Sequence, residues 1–248
     1  MYITSVVSAK GGVAKSTTAL SLSYLLGQQG KEVLLIDADP QNAITRHFIE
    51  GNSHKTVKDL LLRDSSVYES VQPSFPNVSL VASELRLQTI EKELADENNP
   101  LFILHDLLIE EDYDYCIIDT PPWMGMMTKS ALIASDSVII PTTLEKWAVE
   151  AISIVFEEIE KALRSQKYLS KNISKVSILP TFYEDRIVVK NAYLEALKEH
   201  YSEYIIDTVI HKAAELEKIY STPGAILSPS SRSFEEYYSL MKEVFGEV

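Results

Sequence analysis

The residues best suited to chemistry in this chain lie in one loop and at two strand ends. The loop, Lys10-Gly11-Gly12-Val13-Ala14-Lys15-Ser16-Thr17, combines two glycines, two lysines and two hydroxyls. Glycines let a backbone approach phosphate oxygens closely, a lysine such as Lys15 can reach the terminal phosphates, and a hydroxyl such as Ser16 can ligate Mg²⁺. The strand ends supply carboxylates: Asp37 and Asp39 in Ile36-Asp37-Ala38-Asp39-Pro40, and Asp119 in Cys116-Ile117-Ile118-Asp119-Thr120-Pro121-Pro122. A single carboxylate at the end of a wholly apolar strand has the form of a Walker B metal-site residue. Each stretch also has a plainer reading. The loop could be a glycine turn packing a helix on a strand, and Asp-Thr-Pro is a common way to close a strand. The usual phosphate-loop pattern has glycine immediately before the lysine, and Ala14 stands there. If that position needs a positive φ, alanine costs roughly 1–2 kcal/mol; if it is helical, alanine costs nothing.

Two elements must hold the loop. Met1-Tyr2-Ile3-Thr4-Ser5-Val6-Val7 reads as a buried strand, and Ala19, Leu20, Leu22, Leu25 and Leu26 recur at helical spacing before Gly27 and Gly30, where the helix is expected to end. A strand–turn–helix of this kind presents the unpaired N–H groups and favourable dipole of a helix start to an anion. Further strands are expected at 32–37, 78–81, 116–118, 137–141, 175–180 and 204–210. Helices are expected around 44–48, 57–63, 84–95, 101–109, 147–167 and 188–201, and on the apolar face of Phe234, Tyr237, Tyr238, Met241, Val244 and Phe245. Pro73 and Pro76 signal turns. Alternating strands and helices call for a doubly wound, mostly parallel α/β sheet with helices on both faces, and no linker or repeat divides residues 1–248 into more than one domain. Asp37 and Asp39 then fall where ligands bind in open α/β sheets.

Composition narrows the class. The 248 residues are 46% hydrophobic and 24% charged, values ordinary for a globular chain. A single cysteine, Cys116, rules out an internal disulfide and a cysteine-based metal cluster, which fits a reducing cytoplasm. The chain enters a strand directly, without a signal-peptide pattern, and no apolar run approaches ~20 residues. A net charge of -13 opposes nucleic-acid binding as a global property and leaves room for a local basic patch.

Taken together, Lys10–Thr17, Asp37-Ala38-Asp39-Pro40-Gln41-Asn42 and Ile117-Ile118-Asp119-Thr120-Pro121-Pro122 resemble the deviant Walker-A P-loop ATPases of the ParA/MinD group, and most closely the ParA (Soj-like) plasmid and chromosome partition ATPases. The likeness extends to Val138-Ile139-Ile140-Pro141-Thr142 with Glu150-Ala151, to Leu179-Pro180-Thr181-Phe182 with Arg186, and to the closing helix Tyr238 to Val244. What it implies is ATP and Mg²⁺ as ligands, with Gly11, Gly12, Val13, Ala14, Lys15, Ser16 and Thr17 around the phosphates. Ser16 would be a Mg²⁺ ligand, Asp119 would hold Mg²⁺ through water, and Asp39 would position the attacking water. Asp37 is either a more remote metal partner or a structural strand end. Lys10 would be the family's signature lysine, reaching across an ATP-sandwich homodimer to the partner's nucleotide; by itself it reads equally as a solvated loop lysine. Phe182 and His211 are candidates for the adenine pocket.

The resemblance further implies a slow ATPase, stimulated by a ParB-type partner protein, whose dimer binds double-stranded DNA non-specifically and is cytoplasmic or nucleoid-associated. Arg186, Lys190, Lys198, Lys212 and Lys218 are candidate phosphate contacts, although each could instead be a helix-surface cation paired with Glu195, Glu199 or Glu215. Membrane attachment is disfavoured, because Glu235, Glu236, Glu243 and Glu247 face a lone Lys242 in the last helix. The alternatives are a nucleotide-dependent positioning scaffold that never touches DNA, and a small-molecule enzyme of the same superclass, such as a dethiobiotin-synthetase-like protein.

Overall fold

The protein is described by a computed structural model, which covers residues 1–51, 54–94, 99–169 and 171–247. Its first half runs β1 (Tyr2–Val6), α1 (Lys15–Gln28), β2 (Val33–Asp37), α2 (Ala43–Phe48), α3 (Val57–Leu61), α4 (Val67–Ser70), β3 (Val71–Pro73), β4 (Val78–Val81), α5 (Ile90–Glu93) and α6 (Ile103–Leu108). The second half runs β5 (Tyr115–Asp119), α7 (Met126–Ala134), β6 (Ser137–Thr143), α8 (Ala148–Gln166), β7 (Lys175–Thr181), α9 (Val188–His200), α10 (Ala214–Ser221) and α11 (Arg232–Phe245). The strands form one seven-stranded sheet in the order β3-β4-β2-β5-β1-β6-β7. All neighbours are parallel except β3 and β4.

The continuous apolar runs of the strands are explained by burial on both faces. Side chains alternate across a strand. Val33, Leu35, Ile117 and Ile139 therefore pack under α1 and α11, whereas Leu34, Ile36, Cys116 and Ile118 pack under α3, α6 and α7. Val138, Ile140 and Ile178 meet α8 and α9 on that second face. The register places Val6 opposite Asp119 and Asp37 opposite Asp119, so the carboxyl ends of β1, β2 and β5 finish level at the middle of the sheet.

Several expectations need correction. Gly27 does not end α1. A Cβ there would lie 2.6 Å from the Pro76 carbonyl oxygen, so this glycine admits the chain of the β3–β4 turn against the helix. The helix closes at Gly30, whose φ of 77° lets its N–H bond the Gly27 carbonyl and the Lys31 N–H reach back to Leu26. The 84–95 stretch is a 3₁₀ turn (Leu85–Thr89) followed by the single turn α5, and Ala95 lies outside the described residues, as does Val248 at the chain end. β3 was not anticipated: it is a three-residue antiparallel edge strand ending on Pro73, a position where the missing N–H is harmless. Helices α7 and α10 were not anticipated either.

The last expected strand, 204–210, is not one. It runs beside β7 and meets it through the isolated bridge of Ile178 with Ile205 and a bond from the Ile210 N–H to the Pro180 carbonyl at 2.9 Å, with a second isolated bridge just beyond, Tyr183 with His211. Pro180 in β7 has no N–H to give, which breaks the ladder between those points. The N–H groups of Asp207 and Thr208, together with the Thr208 hydroxyl, turn instead to the Glu243 carboxylate of α11 at 2.8, 3.1 and 2.7 Å.

Candidate active site

The loop between β1 and α1 lies at the carboxyl end of the sheet. Gly12 and Ala14 both adopt left-handed backbone conformations, at φ 70° and 67°. Ala14 is the N-cap of α1 and no side chain caps the helix. The first intrahelical bond runs from the Thr18 N–H to the Ala14 carbonyl, so the N–H groups of Lys15, Ser16 and Thr17 have no intrahelical acceptor. The Thr181 hydroxyl at the end of β7 donates to the Val13 carbonyl (3.2 Å) and steadies the loop from the other side.

Around this loop the sheet register gathers the charged groups. Lys15 is only 6% exposed, and its ammonium reaches the Lys10 carbonyl at 3.4 Å. Burial lowers its pKa, while Asp119 and Asp39 pull it back up. Asp37 and Asp119 are fully buried and Asp39 is 7% exposed. Burial pushes the Asp37 carboxyl up to about 7, against the N–H and hydroxyl of Thr45, which donate to its Oδ2 at 2.8 and 2.7 Å. Asp39 is raised by burial, and its Oδ1 accepts the Gln41 N–H at 2.9 Å.

Asp119 differs from both. Burial first, and the neighbouring Asp37 second, raise its pKa well above the ordinary carboxylate range. The Ser16 hydroxyl is close enough to draw it down somewhat. Even so, both carboxylate oxygens are buried without a hydrogen bond of proper geometry. Buried carboxylates are normally paired or coordinate a metal. Among the described residues no group of three or more His, Cys, Asp or Glu side chains closes into a protein-only metal cage. One orphaned carboxylate beside a serine hydroxyl therefore fits a hard divalent cation that takes its other ligands from water and phosphate.

A cavity of about 470 Å³ opens over the loop. Its lining includes residues 11–17 and Asp39, together with Phe182, which sits at a strained φ of 50°. Gln41, Pro122, Leu216 and Glu217 line it as well and were not singled out as site residues. Gln41 could have been found from its place behind Asp39; Leu216 and Glu217 carry no local signal, because α10 arrives from 200 positions away. His211 is not in the lining. Its Nδ1 lies 2.6 Å from Glu236, and its Nε2 lies 3.1 Å from Asp185 and 2.7 Å from Arg232, so the ring is enclosed in an ion cluster. Lys10 also points away from the cavity, toward the Glu145 carboxylate and the Thr143 hydroxyl of its own subunit.

Of the cations proposed for DNA, Lys190 pairs with Glu184 and Lys198 with Glu195, while Glu215 is taken by the Ser228 N–H. Arg186 and Lys212 are exposed.

The comparison with known proteins bears on this arrangement directly. A family described as an AAA domain matches residues 1–175. The Soj sporulation initiation inhibitor of Bacillus subtilis is 32% identical over 98% of this chain and 97% of its own length. The chain belongs to the ParA/Soj family of partition ATPases. The chromosome partitioning protein ParA of Myxococcus xanthus is 30% identical over 95% of this chain and 84% of its own. Among solved structures, a plasmid partition protein of Borrelia burgdorferi bound to AMPPNP superposes with a TM-score of 0.86 at 26% identity, covering 100% of this chain and 99% of that one. The seven-stranded, mostly parallel sheet of this ParA/Soj family member matches the fold of that neighbour. Among the described residues no helix is long and apolar enough to cross a membrane.

Proposed function

We propose that residues 1–248 act as one ATPase domain, an ATP-driven switch for partition of DNA, working in the cytoplasm and on the nucleoid. The observation that carries this reading is that the loop with left-handed Gly12 and Ala14, Lys15, Ser16 and Asp39 line one cavity, with the orphaned Asp119 buried beside Ser16 and Lys15, and it is reinforced by the AMPPNP held in the Borrelia burgdorferi relative. ATP lies over the loop, with its phosphates on the free N–H groups at the start of α1 and against Lys15. Ser16 and Asp119 hold Mg²⁺, with Asp37 behind them. When bound, the ion neutralises charge on the terminal phosphates. Asp39 orients the attacking water. Phe182 is a base-side contact, and His211 is not, since its ring is enclosed by charged partners.

Lys10 completes the site only across a homodimer. In the single chain its ammonium is held by Glu145 and Thr143, outside the cavity lining. In the ATP-bound dimer it leaves those partners and stabilises charge on the second subunit's nucleotide, and a ParB-type partner accelerates that step. The dimer binds double-stranded DNA through salt-sensitive phosphate contacts that include Arg186 and Lys212. The test is binding to random-sequence duplex at low salt with Mg-ATP, Mg-ADP and no nucleotide, using Asp39→Ala to hold the ATP state. Binding in the ATP state alone, falling steeply with salt, supports the DNA switch.

A second reading has its own observations. The net charge of -13 and the intramolecular pairing of Lys190 and Lys198 favour a nucleotide-dependent scaffold that recruits a protein partner. An intact ATP-dependent dimer without DNA binding in any nucleotide state would select it.

A further inference from the structure

A second, larger cavity of about 700 Å³ opens on the far side of α2 from the phosphate loop. Its walls are α2, the chain leading into α3, and the turn after β4. Two arginines line it, Arg46 and Arg86, both exposed and neither in an ion pair among the described residues. The acidic residues in the lining are Asp59 and Glu84. Asp59 is committed to the Thr56 N–H and hydroxyl at 2.8 and 3.1 Å and to Lys55, which leaves Glu84 alone against two guanidinium groups and His54. A locally cationic cleft is therefore set into a chain of net charge -13. The side-chain oxygen of Asn42, also in the lining, is buried with no donor. An occupant that satisfied all three residues would carry an anionic group for the arginines, which bind phosphate and carboxylate in bidentate fashion, and a hydroxyl or amide donor for Asn42.

The wall of this cleft also supports the Asp37 carboxylate and the Asp39 backbone. Thr45 lines the cleft while donating its N–H and hydroxyl to Asp37. Ser83 lines it while its N–H donates to the Thr45 oxygen at 2.7 Å and its hydroxyl to the Asp39 carbonyl at 2.8 Å. Thr45 and Ser83 thus stand between an occupant of the cleft and the Asp37 carboxylate and Asp39 backbone to which they donate.

We propose that this cleft is an effector site for a small hydroxylated anion, a phosphate ester or hydroxycarboxylate, whose binding alters nucleotide turnover through Thr45 and Ser83. The binding half stands on the cleft alone. The turnover half rests on the roles proposed above for Asp37 and Asp39.

The test uses the full chain with and without saturating Mg-AMPPNP, titrated calorimetrically with glycerol 3-phosphate and with citrate, and with glycerol as the neutral control. Probes taken to about 10 mM would detect a Kd near 1 mM. The expected result is saturable binding of one or both anions with AMPPNP in place, no binding of glycerol, and affinity at least about tenfold weaker in Arg46→Ala/Arg86→Ala. Which anion binds distinguishes phosphate from carboxylate recognition. ATPase turnover of the native chain should shift about fivefold or more with saturating probe and stay unchanged in the double variant. Both arginines are exposed, so the double variant is expected to keep the native unfolding midpoint. Absence of saturation, displacement of the probe by AMPPNP, or equal binding by the double variant would overturn the site. Binding with unchanged turnover would overturn the coupling. Probe binding in a chain without ATPase activity would support the cleft and count against the nucleotide switch.

Discussion

Ala14 occupies a left-handed conformation at φ 67° in the position where phosphate loops usually carry glycine. An L-residue there costs about 1–2 kcal/mol, and glycine returns part of that as unfolded-state entropy, about 0.4–1 kcal/mol. Ala14→Gly is therefore expected to raise stability by roughly 0.5–1 kcal/mol, read as a higher urea midpoint. An unchanged or lower midpoint would show that the loop reaches this conformation without strain. Asp119 supports a second expectation at this scale. Its two oxygens are buried without hydrogen-bond partners, the observation on which its proposed role as a cation ligand rests. Asp119→Asn should abolish the gain in nucleotide affinity that Mg²⁺ confers while leaving the chain folded, a comparison made by calorimetry with and without Mg²⁺.

At the scale of elements, two contacts fix how helices sit on the sheet. Gly27 lets α1 approach the Pro76 carbonyl so closely that a Cβ would lie 2.6 Å from it. Alanine is the better helix former by about 1 kcal/mol, yet Gly27→Ala should destabilise the chain by about 1–3 kcal/mol, because the backbone carbonyl cannot yield as a side chain would. A rise in thermal midpoint would contradict that packing. Glu243 performs the second task, accepting three hydrogen bonds from Asp207 and Thr208 where the strand ladder beside Pro180 fails. Hydrogen bonds to a charged acceptor contribute about 1.5–3 kcal/mol each when buried and less when part-exposed, so Glu243→Ala is expected to cost about 2–3 kcal/mol. Amide exchange at 204–210 should accelerate in that variant more than exchange in β1 or β5.

For the whole molecule, the decisive feature is that Lys10 stands outside the cavity lining, which is why the proposed switch requires a second subunit. Lys10 rests on Glu145, with side chains 43% and 54% exposed, an arrangement worth at most about 1 kcal/mol. On the proposed in-trans role, breaking it to reach a partner would cost no more than that. Lys10→Ala should keep the monomer's stability within about 0.5 kcal/mol and keep nucleotide binding. It should reduce partner-stimulated hydrolysis by about 10³-fold or more, the scale of a cation supplied in trans. Normal turnover in Lys10→Ala would contradict the in-trans role.

Much of this was legible in the chain itself. The types and spacing of 10–17, the strand-terminal Asp37 and Asp119, and the two-faced apolar runs depend on local backbone chemistry and on side-chain periodicity, which sequence records directly. Segments decided by competition between distant partners were not legible. The 204–210 stretch has the composition of a strand, but Pro180 and Glu243 divert its N–H groups. Gly27 looks like a helix end, but a turn 50 residues away needs the space. His211 was a candidate for the adenine pocket until Asp185, Glu236 and Arg232 closed around it. Only the sheet order brought Asp37 and Asp119 side by side, and only the approach of α10 and Phe182 shaped a cavity over the loop. Register and packing join residues far apart in sequence, so the chemistry was written locally and its geometry was decided by the tertiary structure.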